Sequence, residues 1–203
     1  YVITVIGGKG GVGKSQVAAN LAFAFAADNR STTLLLDFDS KACGDQDIIT
    51  GLKSKKTIKD LSDYNGPMDK RALAPLITKH RNGVDYIGMP KDAMVADQIN
   101  AENLGNILKA IPSMYQLTII DGGNELTDLT LKALEYSTMI MMVTTPDLLA
   151  INQSRRMYQE LVTMLFPKDV IQVVLNHFES KNSLINESCL IKKLEKKIHN
   201  IIY

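Results

Sequence analysis

Cysteine is scarce, with two residues in a chain of 203. Cys43 and Cys189 lie far apart and form no CxxC pair. Neither a disulfide framework nor a cysteine-rich metal or iron–sulfur site is indicated, and a reduced, cytosolic compartment fits best. His80, His177 and His199 share no ligand spacing with one another or with the cysteines, so structural or surface roles suit them better than metal ligation. No apolar run approaches the roughly 18 residues of a membrane span. The first residues also lack the basic-then-apolar layout of a secretory leader. An excess of one charge is missing too: 23 Lys and Arg stand against 22 Asp and Glu, a net charge of +1. Without a global field to hold a polyanion, nucleic-acid binding is not expected, and membrane contact would be peripheral at most, through a local patch.

What is present is the material of one globular domain, with 45% hydrophobic and 22% charged residues. That balance excludes disorder and collagen-like repeats. Apolar, β-branched runs recur, each followed by a polar turn and a stretch of helical spacing. Strands are expected over residues 1–6, 32–38, 84–89, 116–121, 138–144, 170–176 and 199–203, and helices over 14–27, 101–111, 127–135, 148–165 and 187–197. The segment 53–82 is interrupted by Gly66, Pro67 and Pro75 and reads as short helices and loops. The fold class is therefore α/β, a three-layer, mostly parallel β-sheet with helices on both faces. The chain starts at Tyr1 and enters an apolar run at once, so we expect a single domain over 1–203 excised from a longer chain.

In such sheets ligands bind beyond the carboxyl ends of the strands. After the first expected strand comes Gly7-Gly8-Lys9-Gly10-Gly11-Val12-Gly13-Lys14-Ser15, which contains GxxxxGK[ST] from Gly8 to Ser15 in a strand-to-helix setting. Glycines let the backbone turn its amides inward around phosphate oxygens, and the next helix offers its positive end to the same anion. Lys14 suits the β- and γ-phosphates, and the Ser15 hydroxyl suits Mg²⁺. A phosphate loop does not require Lys9. It is either a solvated side chain or a cation that crosses a dimer interface to a partner's nucleotide, in the manner of an arginine finger.

Phosphoryl transfer also needs a metal anchor and something to position water. Two expected strand ends supply carboxylates, Asp37-Phe38-Asp39 and Ile119-Ile120-Asp121. Asp121 suits the Mg²⁺ shell, and Asp39 suits the attacking water and the metal, with Asp37 in support. Gly122 and Gly123 give a backbone able to rearrange with the γ-phosphate. Asn124 caps a turn or touches the water. Asn176 closes a strand or offers its amide to a base edge.

Taken together, the loop from Gly8 to Ser15, Asp37-Phe38-Asp39, Ile119-Ile120-Asp121 and Leu175-Asn176 resemble the deviant Walker A ATPases of the MinD/ParA group over nearly the whole chain. The resemblance implies a P-loop NTPase fold, ATP or ADP with Mg²⁺ as ligands, and ATP hydrolysis by a nucleotide-dependent homodimer. It makes Lys9 the signature lysine, Lys14 the Walker lysine, Asp39 the switch I aspartate, Asp121 the Walker B aspartate and Asn176 an adenine contact. On this basis the nucleotide site comprises Gly8, Lys9, Gly10, Gly11, Val12, Gly13, Lys14, Ser15, Gln16 and Asn176; catalysis falls to Lys9, Lys14 and Asp39; the metal falls to Ser15, Asp39 and Asp121. Asn20 also falls where members carry an Asn.

Within the group, Gly44-Asp45-Gln46-Asp47-Ile48-Ile49-Thr50-Gly51-Leu52, Thr57-Ile58-Lys59-Asp60-Leu61, His80-Arg81-Asn82-Gly83-Val84 and Thr144-Thr145-Pro146-Asp147-Leu148 with Arg155-Arg156 are similar to the CpaE/TadZ branch. That branch implies Flp/Tad pilus or polar-localisation proteins as partners, and a cytoplasmic place at a cell pole or peripheral to the inner membrane. Three departures from the group imply weak hydrolysis with binding intact: Gln16 in place of a second Thr or Ser beside the α-phosphate, Gly122-Gly123 in place of a proline-containing switch, and His177 in place of Arg or Lys. Relatives continue past the position of Tyr203 into an adenine-side loop, so part of the base pocket is expected beyond this sequence. Competing readings are a nucleotide-supported localisation scaffold with little hydrolysis, and a DNA-partitioning or septum-positioning ATPase using the basic run Lys192-Lys193-Leu194-Glu195-Lys196-Lys197.

Overall fold

The structure is a computed structural model that describes residues 1–27, 31–177 and 198–201. Its strands are β1 (Val2–Ile6), β2 (Thr33–Asp37), β3 (Thr78–Lys79), β4 (Val84–Ile87), β5 (Leu117–Asp121), β6 (Met139–Thr144), β7 (Ile171–Leu175) and β8 (Ile198–Ile201). They form one sheet in the order β3-β4-β2-β5-β1-β6-β7-β8. Every pairing is parallel except β3 with β4. Strands β1, β2 and β5 are buried at every residue, as near-continuous apolar runs in a sheet covered on both faces require.

The helices are α1 (Lys14–Ala27), α2 (Asp45–Thr50), α3 (Ile58–Ser62), α4 (Lys70–Leu73), α5 (Ala93–Ala96), α6 (Ala101–Ala110), α7 (Asp128–Glu135) and α8 (Leu148–Thr163). On one face α1 lies against Val5, Leu35 and Ile119 through Ala18, Ala19, Ala22 and Ala26. These small side chains let the helix axis approach the strands closely, which holds the phosphate loop at its start against the sheet. The opposite face carries α6 and α7 through Leu104, Ile107, Leu108, Leu129 and Ala133. There α8 covers Ile140, Met142 and Ile171 through Met157, Tyr158 and Leu161.

Among the described residues the expected strands and helices are found within a residue or two of their expected ends, most of them slightly shorter and β8 starting one residue earlier. The methionine-rich stretch Met139 to Val143 lies within β6. The expected helix over 187–197, with its basic run, lies outside the described residues, as do Cys189 and the end of the last strand. The two-residue β3, the four-residue α5, and α2, which is bounded by left-handed Gly44 and Gly51, carry no periodic signal and were not foreseen individually. Among the described residues no helix is long and apolar enough to cross a membrane.

The close seat of α1 gives a test of the packing. Replacing fully buried Ala22 with Leu forces extra methylenes between helix and sheet and should cost about 1–3 kcal/mol. Urea unfolding should show a lower midpoint with an unchanged slope, and an unchanged midpoint would contradict the packing described.

Candidate functional site

Strand β1 lies between β5 and β6, while the chain leaves it through α1 for β2 on the far side of β5. At that crossover the carboxyl ends of β1, β2 and β5 deliver the phosphate loop, Asp37 and Asp121 to one end of the sheet. The register sets Val5 beside Asp121 and Asp37 beside Asp121. An open cleft of about 400 Å³ results, lined by Gly10, Gly11, Gly13, Lys14, Ser15, Gln16, Asp39, Ala42, Asp45, Asn124 and His177.

The loop uses its residues in three ways. Gly8 packs against the α8 backbone at Gln153 and Ser154, so that a Cβ there would overlap main-chain atoms. Val12 points away from the cleft as a core side chain, 1% exposed, and contributes to the loop only through its backbone. Gly13 has φ +90, and a Cβ would strike the Asn176 amide. A Cβ on Gly10 would meet nothing, so the space beside its backbone is open to an incoming group. Lys14 is buried, its stem folded against Gly7.

The carboxylates are crowded. Asp37, Asp39 and Asp121 are 1%, 5% and 1% exposed. Burial, then the neighbouring Asp121 charge, pushes the Asp37 carboxyl well above the ordinary range, against two backbone N–H bonds. Burial also raises Asp121, and the Asp39 charge adds to it; the Ser15 hydroxyl, the Gln46 amide and the Lys14 ammonium pull it back only partly. Asp39 Oδ1 accepts from the N–H groups of Lys41 and Ala42, both at 3.1 Å, and this turn points the residue into the cleft. Gly123 backs it from behind. With φ +73, a Cβ at 123 would stand 2.8 Å from the Asp39 carboxylate carbon, so only glycine lets the two segments approach. The Gly123 carbonyl accepts from Gly7 N–H at 3.2 Å, which ties this segment to the phosphate loop. That is a physical reason for the glycine pair that departs from the group's pattern.

Other expected residues stand elsewhere. Lys9 does not line the cleft: its ammonium is 3.3 Å from Asp147 Oδ1, a half-exposed ion pair. Asp147 also accepts from Ala150 N–H as the cap of α8 and from the Thr145 hydroxyl. Burial pushes the Asp147 carboxyl up, but Thr145, Ala150 and Lys9 outweigh it and hold the group below its usual range. Asn176 is buried behind the loop and donates through Nδ2 to the Val12 carbonyl at 2.9 Å. One amide N–H of Asn176 therefore braces the loop. Asn20 sits on the exposed side of α1. Sequence reasoning overlooked Gln46, whose amide reaches both Ser15 and Asp121. Only the paired glycines around α2 hinted at an ordered element there.

The residues fit a magnesium nucleotide. Asp121 Oδ1 is buried without a hydrogen-bond partner, beside the Ser15 hydroxyl. Two neighbouring carboxyls, both raised by burial, favour a cation nearby. Among the described residues no group of three or more His, Cys, Asp or Glu is arranged to hold a metal unaided. This suits Mg²⁺, which is usually bound by one or two carboxylates plus substrate phosphates.

Residues 3–202 match the family described as CobQ/CobB/MinD/ParA nucleotide binding domain. The septum site-determining protein MinD of Thermotoga maritima is 27% identical over 180 residues, covering 88% of this chain and 64% of that protein. The chain thus spans just under two thirds of that relative's length. The crystal structure of a ParA family ATPase from Chlorobium tepidum superposes with a TM-score of 0.92 at 25% identity, covering 99% of this chain and 83% of the other. MinD from Pyrococcus horikoshii, solved with Mg-ADP, superposes with a TM-score of 0.81 at 19% identity, covering 99% and 80%, a likeness of fold.

Two glycine substitutions separate cradle from scaffold. Gly10→Ala should leave the melting temperature unchanged but weaken Mg-ADP binding by roughly tenfold or more, the worth of a hydrogen bond to a charged group. Gly13→Ala should lower both. Calorimetry showing full affinity for Gly10→Ala would mean that the ligand does not enter the cradle.

Proposed function

We propose, for a chain that belongs to the CobQ/CobB/MinD/ParA nucleotide-binding family, an ATP-binding, slowly hydrolysing switch that acts as a nucleotide-dependent homodimer. The observation that carries this reading is the division of labour between two lysines of one loop: Lys14 is buried at the cleft while Lys9 is held outside it by Asp147. Loop amides from Gly10 to Ser15 bind the phosphates, and Lys14 neutralises charge on the β- and γ-groups. Ser15 and Asp121 hold Mg²⁺, which when bound supplies Lewis-acid stabilisation of the phosphoryl oxygens. Asp39, fixed by its turn and by Gly123, orients water for attack. Gln16, on the cleft wall where the group carries a hydroxyl, gives one interaction fewer at the α-phosphate and fits slow turnover. Relatives named MinD and ParA, one of them solved with Mg-ADP, support the ligand and its metal.

In the dimer Lys9 leaves Asp147 and reaches the partner's nucleotide. An ion pair this exposed is worth about 0–1 kcal/mol, so it restrains Lys9 without locking it. The cargo we assign is a polar assembly of the Flp/Tad pilus kind, at a cell pole or peripheral to the inner membrane. That assignment rests on the CpaE/TadZ-like stretches, of which Gly44 to Leu52 becomes α2 and Asp147 the Lys9 partner. A localisation scaffold with little hydrolysis is the second reading, favoured by Gln16 and the Gly122-Gly123 pair. Septum positioning or partitioning is the role that the relatives' names suggest.

Sedimentation with Mg-ATP tests the switch: Lys9→Ala should remain monomeric where the parent dimerises. Asp147→Asn, which keeps a capping side chain but removes the charge, should dimerise at protein concentrations lower by up to about thirtyfold, since each dimer releases two such pairs. ATP-dependent dimers of Lys9→Ala would refute the crossing lysine. Single-turnover hydrolysis by the parent, lost in Asp39→Ala, would reject the pure scaffold, and no parental hydrolysis would reject the timer.

A further inference from the structure

Helix α2 stands between the phosphate loop and β4, and its two buried side chains point to different tasks. Asp47, 5% exposed, anchors the helix: its Oδ1 accepts from Tyr86 Oη at 3.0 Å and from Ser54 Oγ at 3.3 Å, and its Oδ2 lies 3.4 Å from Lys91 Nζ. The Thr50 hydroxyl donates to the Gln46 carbonyl at 2.6 Å and tightens the turn. Gln46 itself, 1% exposed, is thereby delivered on a fixed support. Its Nε2 donates to the Ser15 carbonyl at 2.8 Å and to Asp121 Oδ2 at 2.9 Å. Both partners are acceptors, so the amide has one orientation: turning it over would press Oε1 against two oxygens. In that orientation Gln46 Oε1 is buried without a hydrogen-bond partner, and so is Asp121 Oδ1.

Two buried acceptor oxygens without a hydrogen-bond partner, on side chains joined by the Gln46 Nε2–Asp121 Oδ2 bond, are unfavourable unless a donor or a cation meets them. A hydrated divalent ion provides both at once, since its waters are strong, oriented donors. We propose that Gln46 is a positioning residue for magnesium. Its N–H bonds hold Asp121 in register with the first turn of α1, and its Oε1 receives a hydrogen bond from a water on the ion. The assignment rests on the nucleotide-binding reading above and adds to it a residue that the phosphate-loop pattern does not contain. Outer-sphere partners of this type commonly change metal affinity by 10–100-fold when removed.

Titration calorimetry of ADP with and without magnesium, on the parent and on Gln46→Met, tests it. The methionine keeps length and helix compatibility while removing donor and acceptor. Gln46→Met should bind ADP without magnesium as the parent does and lose roughly tenfold or more of the affinity that magnesium adds. A full magnesium gain in the variant would overturn the proposal. So would equal losses with and without magnesium, the signature of a mere brace. If the parent binds no ADP under either condition, the nucleotide reading fails instead. Should Gln46→Met not fold, the side-chain NH₂ resonances of Gln46 in the parent decide: they should move when magnesium joins the ADP complex, and their indifference would equally overturn the role.

Discussion

The structure depends on one constraint, that the turn from β1 into α1 keeps its backbone N–H groups free to face an anion. Everything near it serves that purpose. Gly8 has no side chain because α8 backbone occupies the space, Val12 plugs the loop into the core, and Asn176 ties the Val12 carbonyl down. The alanine face of α1 brings the helix, and with it the positive end of its dipole, against the sheet. In this loop the one apolar side chain, Val12, is used for packing.

Around this cradle the fold collects negative charge that it cannot comfortably hold alone. Asp37, Asp39 and Asp121 converge at adjacent strand ends because β2 and β5 are neighbours in register, and burial raises two of them. Such a cluster is stable only with cations nearby, and Lys14 is the cation that the loop itself supplies. On the proposed reading a magnesium ion would supply the further positive charge, which would link occupancy of the cleft to the positions of the Asp39 turn and of Gly122-Gly123. Gly122-Gly123 is bonded to β1 and to the phosphate loop through the main chain and to α7 through the Thr130 hydroxyl, so a shift of this pair would be felt at α7.

Much of this was legible beforehand. The phosphate loop is local in sequence, β2 and β5 are apolar runs closed by aspartate, and α1 begins at the lysine of the motif. What stayed hidden depends on distance or brevity. Lys9 and Asp147 are separated by 138 positions, and nothing in either segment announces the other. Gln46 acts from a six-residue helix, too short to show periodicity, and its role appears only once α2 is set against α1. The Asn176 amide could be assigned a base or a turn from sequence, and the fold shows a third partner, the loop carbonyl. Gly122-Gly123 read as a departure from the group's pattern; Gly123 proves to leave the space that Asp39 needs, and Gly122 the space beside Thr4 and Ile6 of β1.

The most direct measurement follows the main-chain amides themselves. In a ¹⁵N-resolved spectrum titrated with Mg-ADP, the N–H signals of Gly10 to Ser15 should shift together and saturate, because they bond the phosphates. If those signals stay in place while nucleotide is added to excess, the cradle does not hold an anion and the account is contradicted.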